Sequence, residues 1–450
     1  MAAAPAGAER ASSPGWRGPR FALAVFLVAY ILSFADRQIL SLMVDPIRRD
    51  LGISNVQMGL LQGFAFALLY AVAGVPLGML ADRVGRKWLI AAGVVVWSLA
   101  TGACALAGTF AHLFVARAFV GLGEATLSPA AHSFLSDAFP PARLARAMSI
   151  YTLGITIGGG MALMIGGSVI EAVSASGSVI LAVIGALRGW QATFLIVAAP
   201  GFLVLALVAA VREPARRRPV VNGGPTRVGS LGATLAWLWQ ERRSFFAIYA
   251  SSVALGIMGY GMSAWYPSLL IRTHGMGAGE AGRALGVVLL VCGSAGTLFG
   301  GRFAERLTLR GHADANLRTV AMLAAAVTLP AVAAPLMPLP LAVLALFAVA
   351  TFLFNGYFGC SVAAIQLATP PGVRATNAAL FLLANSLVGL SIGAAIIPTL
   401  DQTLFGNTGR IGPALSITAL FAGVLAMASA LSGLRAYGSL VNRLNPQIKS

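Results

Sequence analysis

The sequence predicts an all-α membrane protein, with twelve transmembrane helices in two pseudo-symmetric six-helix bundles. Three observations carry this prediction. Of 450 residues, 58% are hydrophobic and only 10% are charged, whereas a soluble chain carries roughly 25% charged residues. The apolar residues fall into runs of the ~20 residues needed to cross a bilayer, and charged or Pro/Gly-rich punctuation separates the runs. The second half of the chain also repeats landmarks of the first half in the same direction. The composition alone excludes a soluble enzyme.

The spans follow in order from this punctuation. In the first half they lie near 20–44, 56–80, 87–108, 112–136, 145–171 and 190–211. In the second they lie near 244–271, 281–303, 317–336, 339–366, 374–399 and 412–436. The first run, from Phe21, follows a basic stretch as a signal peptide would. It continues past Asp36-Arg37, and eleven further spans succeed it, so it reads as an uncleaved helix 1. The chain therefore divides into a tail at 1–19 rich in Ala, Gly, Pro and Ser, a six-helix bundle at 20–211, a linker at 212–243, a second bundle at 244–436, and a tail at 437–450. Within the linker, Leu231–Trp239 reads as a short amphipathic helix lying on the membrane surface.

The net charge of +17 does not imply nucleic acid. Nearly all the basic residues are Arg placed between apolar runs, which is the pattern of positive-inside anchoring and not of a basic face on a soluble domain. With the N-terminus inside, twenty-three Arg and Lys fall in cytoplasmic segments and six in outer loops. Both termini are expected in the cytoplasm, in an inner (plasma) membrane.

The repeat is read from two echoes. GMLADRVGRK at 78–87 returns as GRFAERLTLR at 301–310, and FPPARLARA at 139–147 returns as TPPGVRATN at 369–377, offsets of 223 and 230. Two six-helix units related by an axis along the membrane normal produce this pattern. The loop motif between helices 2 and 3, its degenerate copy between helices 8 and 9, and the six-plus-six repeat resemble the major facilitator superfamily. That resemblance implies the major facilitator fold and a transporter working by alternating access.

Charged groups inside a bilayer cost ~2.5–3.5 kcal/mol each on insertion scales and mark sites or pathways. By these spans four lie well within helices: Asp36 and Arg37 in helix 1, and Arg117 and Glu124 in helix 4. At the 230 offset, Phe347 and Phe354 replace Arg117 and Glu124 in the second half. Arg117 and Glu124 share a helix face, with Gly121 between them. At 1.5 Å per residue, Asp36 and Arg117 fall ~12 and ~8 Å below the outer surface, and Glu124 falls ~18 Å below it, near the midplane. Asp36, Arg37 and Arg117 are thus expected to meet in the outer half. Such a cluster suits proton coupling and anion binding, because a carboxyl group in low dielectric exchanges its proton according to whether an Arg is beside it. A fixed ion-pair network tying helices 1 and 4 is the structural alternative.

FADRQIL at 34–40, RAFVGLGEA at 117–125 and the loop motif together resemble the Spinster family of lipid transporters. The resemblance implies a lysophospholipid or sphingosine-1-phosphate-like substrate. Asp36 and Glu124 would be the proton-coupling residues, and Arg37 and Arg117 the headgroup and charge network. A small organic anion or a drug is the alternative cargo, and a non-transporting sensor is a more distant one. No enzyme activity, metal or cofactor is expected beyond protons as the coupling ion. The partners are an amphipathic substrate and the bilayer, with no nucleic acid, and the chain is expected to act as a monomer.

An amphiphile would also need an apolar wall. Phe347, Phe352, Phe354 and Phe358 offer one, although each alone is as readily a packing residue, and Tyr260, Asn355, Gln366, Asn377 and Asn385 are candidate cavity liners. Gly78, Asp82, Arg83, Arg86 and Lys87 read as a cytoplasmic gate motif that latches adjacent loops. Helix 5 carries Gly154, Gly158, Gly159, Gly160, Gly166 and Gly167, a spacing that permits close helix approach. In facilitator antiporters this helix usually also includes a Pro, which is missing here. Gly389, Ser391 and Gly393 match a hydrolase nucleophile pattern but sit in an apolar helix, so they are set aside. His112, His132, His274 and His312 form no ligand spacing, and Cys104, Cys292 and Cys360 read as small apolar-segment side chains.

Overall fold

Every apolar run becomes a helix, as it must where hydrocarbon offers no partner for a backbone N–H or C=O. The computed structural model describes residues 18–81, 84–175, 179–181, 185–214, 231–370, 372–406 and 409–445. Among the described residues, twelve helices are long and apolar enough to span. Helices 1 to 6 are Pro19–Leu42, Asn55–Gly74, Arg86–Cys104, Phe110–Ala138, Arg146–Val173 and Gly189–Ala210. Helices 7 to 12 are Arg242–His274, Ala278–Leu309, Ala315–Leu336, Pro340–Ala368, Thr376–Leu404 and Ile411–Leu444. An even number of spans places the two ends of the described chain, at Gly18 and Asn445, on one face, the terminal face. Of the expected tail at 1–19, Pro19 already opens helix 1, and residues 1–17, like the Asp82–Arg83 pair and Arg216–Arg218, lie outside the described residues.

Local chemistry fixes where the helices begin and end. Ser54 accepts from the Gln57 backbone N–H at 3.1 Å, and the Gln57 side chain accepts from the Ser54 N–H at 2.9 Å. This capping box starts helix 2. Gly275, with φ of 67°, ends helix 7 in the left-handed conformation that glycine adopts without strain. Helix 12 continues to Leu444 and does not stop near 436, because Tyr437, Leu440 and Val441 are buried on its inner side. Leu231–Gln240 is helical as expected. Leu231, Leu235 and Trp239 are exposed at four-residue spacing, and Trp237 anchors the segment through its Nε1–H to the Ala368 carbonyl at 3.3 Å. Among the described residues the helical plan gains a short helix, Val44–Leu51, between helices 1 and 2, and a two-stranded antiparallel ribbon between helices 5 and 6 that pairs Val179 with Leu187.

The two halves share their irregularities. Helix 4 breaks at Ala125–Thr126 and helix 10 at Gly356. Helix 2 breaks at Gly63, and helix 8 carries a π-turn at Leu289–Gly293. Helix 5 breaks at Leu153, and helix 11 carries a π-turn at Asn385–Leu390. Each pair is separated by nearly the repeat offset read from the loops. π-turns concentrate at functional positions, and these lie on helices that meet across the seam between the halves.

Polarity is inverted relative to a soluble protein. Val72, Leu99, Leu203, Leu329, Leu341 and Phe421 are more than half exposed, while Asp36, Arg86, Arg117 and Glu124 are no more than 3% exposed. Helix 11 runs to Leu404, beyond the expected end at 399. It thereby brings a fully buried acid, Asp401, into the second half, with Oδ2 accepting from the Gly409 N–H at 3.2 Å. The four buried charges of the first half are therefore not the whole set.

Glycines let helices touch across the seam. A Cβ on Gly160 of helix 5 would lie 2.9 Å from the Gly286 carbonyl of helix 8, and one on Gly59 of helix 2 would lie 2.5 Å from the Ala394 carbonyl of helix 11. Gly154 and Gly158 instead face Tyr30 and Ile31 of helix 1. Helix 5 thus uses its glycines on two sides, one within the first half and one toward the second. Polar bonds join the halves at mid-span, where Ser294 meets Thr156 at 3.1 Å and Ser263 donates to Gln38 at 2.8 Å. They also join them at the face opposite the termini, where Arg272 binds Asp45 and Asn55, and Arg283 binds Glu171 at 3.2 Å. That face is closed.

Candidate functional site

Helices 1 and 4 bring the predicted charges together, with partners that differ from those expected. Arg37 pairs with Glu124: its Nε and Nη2 approach Oε2 at 2.7 and 2.6 Å, and the Ser33 hydroxyl donates to the same oxygen at 2.6 Å. Asp36 points to helix 3, where the Thr101 hydroxyl donates to Oδ2 at 2.6 Å. Arg117 reaches the Asp36 backbone carbonyl at 3.3 Å, and its bond is to that carbonyl and not to the carboxylate. The expected trio of Asp36, Arg37 and Arg117 therefore resolves into two linked units. The cause is the helical turn: Asp36 and Arg37 are adjacent and project about 100° apart, so they address different neighbours.

Each buried group keeps an open valence. Glu124 Oε1, Asp36 Oδ1 and Arg117 Nε are buried without a hydrogen-bond partner. An unmet buried polar atom costs about 1–3 kcal/mol, and such atoms call for an explanation beyond packing. Glu124 sits one residue before the break in helix 4. Gly121, one turn earlier, lets that helix approach the Phe66 backbone of helix 2.

An aromatic box holds the Arg37 guanidinium, 4.7, 4.3 and 5.0 Å from the rings of Phe34, Phe66 and Tyr70. Planar guanidinium stacks well on such rings. Tyr30 and, from helix 7 of the other half, Tyr260 also lie within electrostatic reach of Arg37. Sequence reasoning missed Ser33, Thr101, Phe66 and Tyr70. Ser33 stands one turn before Arg37 on helix 1 and was open to discovery; Thr101 and the aromatic pair are set by tertiary packing.

The remaining candidates separate into seam-facing and packed residues. Tyr260, on helix 7 of the other half, lies within electrostatic reach of Arg37. Phe354 lies against the backbone of Gly259 and 5.1 Å from the Tyr357 ring. Asn355 donates to the Thr351 carbonyl at 2.8 Å and borders the π-turn of helix 8 at Gly293. Asn385 opens the π-turn of helix 11 and donates to the Ser252 carbonyl at 3.4 Å. Phe347 is a core residue, its ring 4.2 Å from Tyr266, and Asn377 is tied to Thr369 and Tyr249 at 2.7 Å each. Phe352 packs on Phe299, and Phe358 on Phe381. These four are structural in this conformation. Ser391 begins a regular helical segment, not a strand-to-helix turn.

Gate-motif residues bind within the first half. Arg86, almost fully buried, pairs with Asp137, donates to the Ser133 carbonyl at 3.0 Å and to Glu213 at 3.3 Å, and takes a second bond through its backbone N–H to Glu213 at 2.8 Å. Lys87 caps the end of helix 6 at the Ala209 and Val211 carbonyls, both at 3.1 Å. Gly78 lies near Pro129. The described part of this motif knits helices 3, 4 and 6 together.

A twofold-repeated twelve-helix membrane protein of this kind has counterparts among known proteins. The family model of the Major Facilitator Superfamily matches residues 26–394. The chain belongs to the Major Facilitator Superfamily. It is an integral membrane transporter of that superfamily. An MFS-type efflux pump of Mycolicibacterium smegmatis is 28% identical over 87% of each chain. A hexuronate transporter of Bacillus subtilis is 27% identical over 61% of each. Among solved structures, the inward-facing, unoccupied form of a bacterial homologue of the human lysosomal transporter Spinster superposes with a TM-score of 0.74. It is 26% identical, over 98% of this chain and 99% of that one. Within the superfamily the likeness is thus of Spinster type.

Proposed function

We propose that this transporter moves an amphipathic, anionic lysolipid by alternating access, coupled to protons at Glu124 with Asp36 in support. The observation that carries the reading is the Arg37–Glu124 pair, where one carboxylate oxygen is engaged by Arg37 and Ser33 while the other is buried and free. With all four groups ionised, the cluster of Asp36, Arg37, Arg117 and Glu124 is neutral. A proton taken up by Glu124 removes the negative partner of Arg37 and leaves one excess positive charge. The aromatic box keeps that guanidinium in place, so an anionic headgroup can replace the lost carboxylate. When the headgroup leaves, Arg37 again favours the ionised Glu124 and the proton departs. Proton and anion thus bind together by simple charge balance. Phe354, half-buried in the second half, would offer aromatic surface to an acyl or alkyl tail. The placement of Arg and Lys supports cytoplasmic termini, so the closed face would be the outer one.

The same cluster would serve a small carboxylate, and the likeness to a hexuronate transporter favours that second reading. Uptake of labelled lysophospholipid into proteoliposomes, with and without a pH gradient, separates the two. The lipid reading expects gradient-dependent movement that is inhibited progressively better by longer-tailed competitors. Inhibition by hexuronates with indifference to tail length would transfer the account to small anions.

A further inference from the structure

At the closed face, the short helix Val44–Leu51 and the end of helix 7 border an open cleft of about 490 Å³ whose polar lining is Asp45, Arg48, Arg49, Asn55 and Arg272, beside Ile271 and Gly409. Three guanidinium groups share it with one carboxylate. Asp45 is already divided between Arg272, at 2.7–3.0 Å, and Arg48, at 3.5 Å. Arg49 spends its Nε on the Asp45 backbone carbonyl at 3.3 Å, and Arg48 Nε is buried with no partner. Each guanidinium carries five N–H donors, so most donors here are uncommitted. The next acid, Asp50, offers no relief: Trp190 and Arg188 hold its carboxylate at 2.5 and 3.4 Å.

We propose that this cleft is an anion site that takes a phosphate group, bridged between Arg48 and Arg49 of the first half and Arg272 of the second. Forked donors match the oxygens of phosphate, and the doubly charged oxyanion balances the two unmatched arginines. Burial, together with the neighbouring Arg272, holds the Arg48 guanidinium below the ordinary arginine value despite Asp45, as expected where positive charge is in excess. The site exists only while the halves meet at this face, so its ligand stabilises the closed face by linkage. It is separate from the Arg37–Glu124 cluster and stands whichever cargo is carried.

The test uses the full chain with spin labels at Leu106 and Leu339, exposed residues of the two halves near this face. In lipid-free detergent, inorganic phosphate is titrated against chloride at equal ionic strength. Phosphatidylglycerol nanodiscs are compared with galactolipid nanodiscs, which contain no phosphate. A free-anion source predicts at least a threefold rise in the short-distance population with phosphate over chloride. A lipid source predicts that rise in phosphatidylglycerol over galactolipid. In either case Arg48→Gln/Arg49→Gln abolishes it, and the milder Arg49→Gln, at an exposed residue, raises the half-saturating concentration several-fold. Equal populations in both comparisons, or variants that respond like the wild type, would overturn the proposal.

Discussion

Replacing Arg272 by Gln should loosen the closed face without unfolding the protein. Arg272 contributes three contacts to Asp45 between 2.7 and 3.0 Å and one to Asn55 at 3.1 Å. Charge-assisted bonds of this kind contribute about 1.5–3 kcal/mol when buried, and exposed ion pairs only ~0.2–1 kcal/mol. The side chains of Arg272 and Asp45 are 16% and 26% exposed, which places the tie between these limits, at about 1–2 kcal/mol. At 1.4 kcal/mol per tenfold, the closed-to-open ratio at this face should fall roughly 5- to 30-fold. Distances between spin labels at Leu106 and Leu339 report the two populations directly. Asp45→Asn should act alike, and the double variant should lose little more than either single one. A label distribution unchanged by Arg272→Gln would refute the assignment of this pair as a tie between the halves.

Gly160→Val should disfavour the same closed face more strongly, because its side chain would collide with the Gly286 carbonyl; the same label pair would show the longer distance dominating. Arg86→Gln should lower the thermal unfolding temperature in detergent, since removing one partner of a buried pair costs about 3–5 kcal/mol, and Arg86→Lys should recover only part because it lacks the fork. A loss of less than about 1 kcal/mol would mean that the Asp137 and Glu213 contacts are incidental. Thr101→Val should leave Asp36 without its hydroxyl donor and cost about 1–3 kcal/mol, seen as reduced thermal stability that Thr101→Ser largely restores.

Much of this arrangement was legible in the sequence because a bilayer imposes its own length scale. Runs interrupted by Arg-rich loops gave all twelve spans, and the two loop echoes gave the repeat. The shared breaks at Thr126 and Gly356 lie near the same offset, although no residue type announced them. The charge cluster was found by the rule that ions do not enter hydrocarbon idly, which picked out Asp36, Arg37, Arg117 and Glu124. Their pairing was not legible. Which carboxylate Arg37 meets depends on a rotation of about 100° between adjacent residues on helix 1 and on how closely Gly121 lets helix 4 approach helix 2. Asp401 was missed because a helix end misplaced by a few residues moves an acid from loop to core. The Asp45–Arg272 tie was missed because both residues sit just outside the apolar runs, where charge is ordinary. Phe347, read as a cavity candidate, packs on Tyr266 in this conformation, a contact that the sequence does not announce.

The central claim is that Glu124 carries the coupled proton, and gradient-driven transport compared with exchange tests it most directly. In proteoliposomes, Glu124→Gln mimics the protonated acid permanently. It should abolish accumulation of labelled lysophospholipid driven by a pH gradient while preserving exchange of labelled for unlabelled substrate. Accumulation by Glu124→Gln at the wild-type rate and with the wild-type pH dependence would contradict the account and return the Arg37–Glu124 pair to a purely structural role.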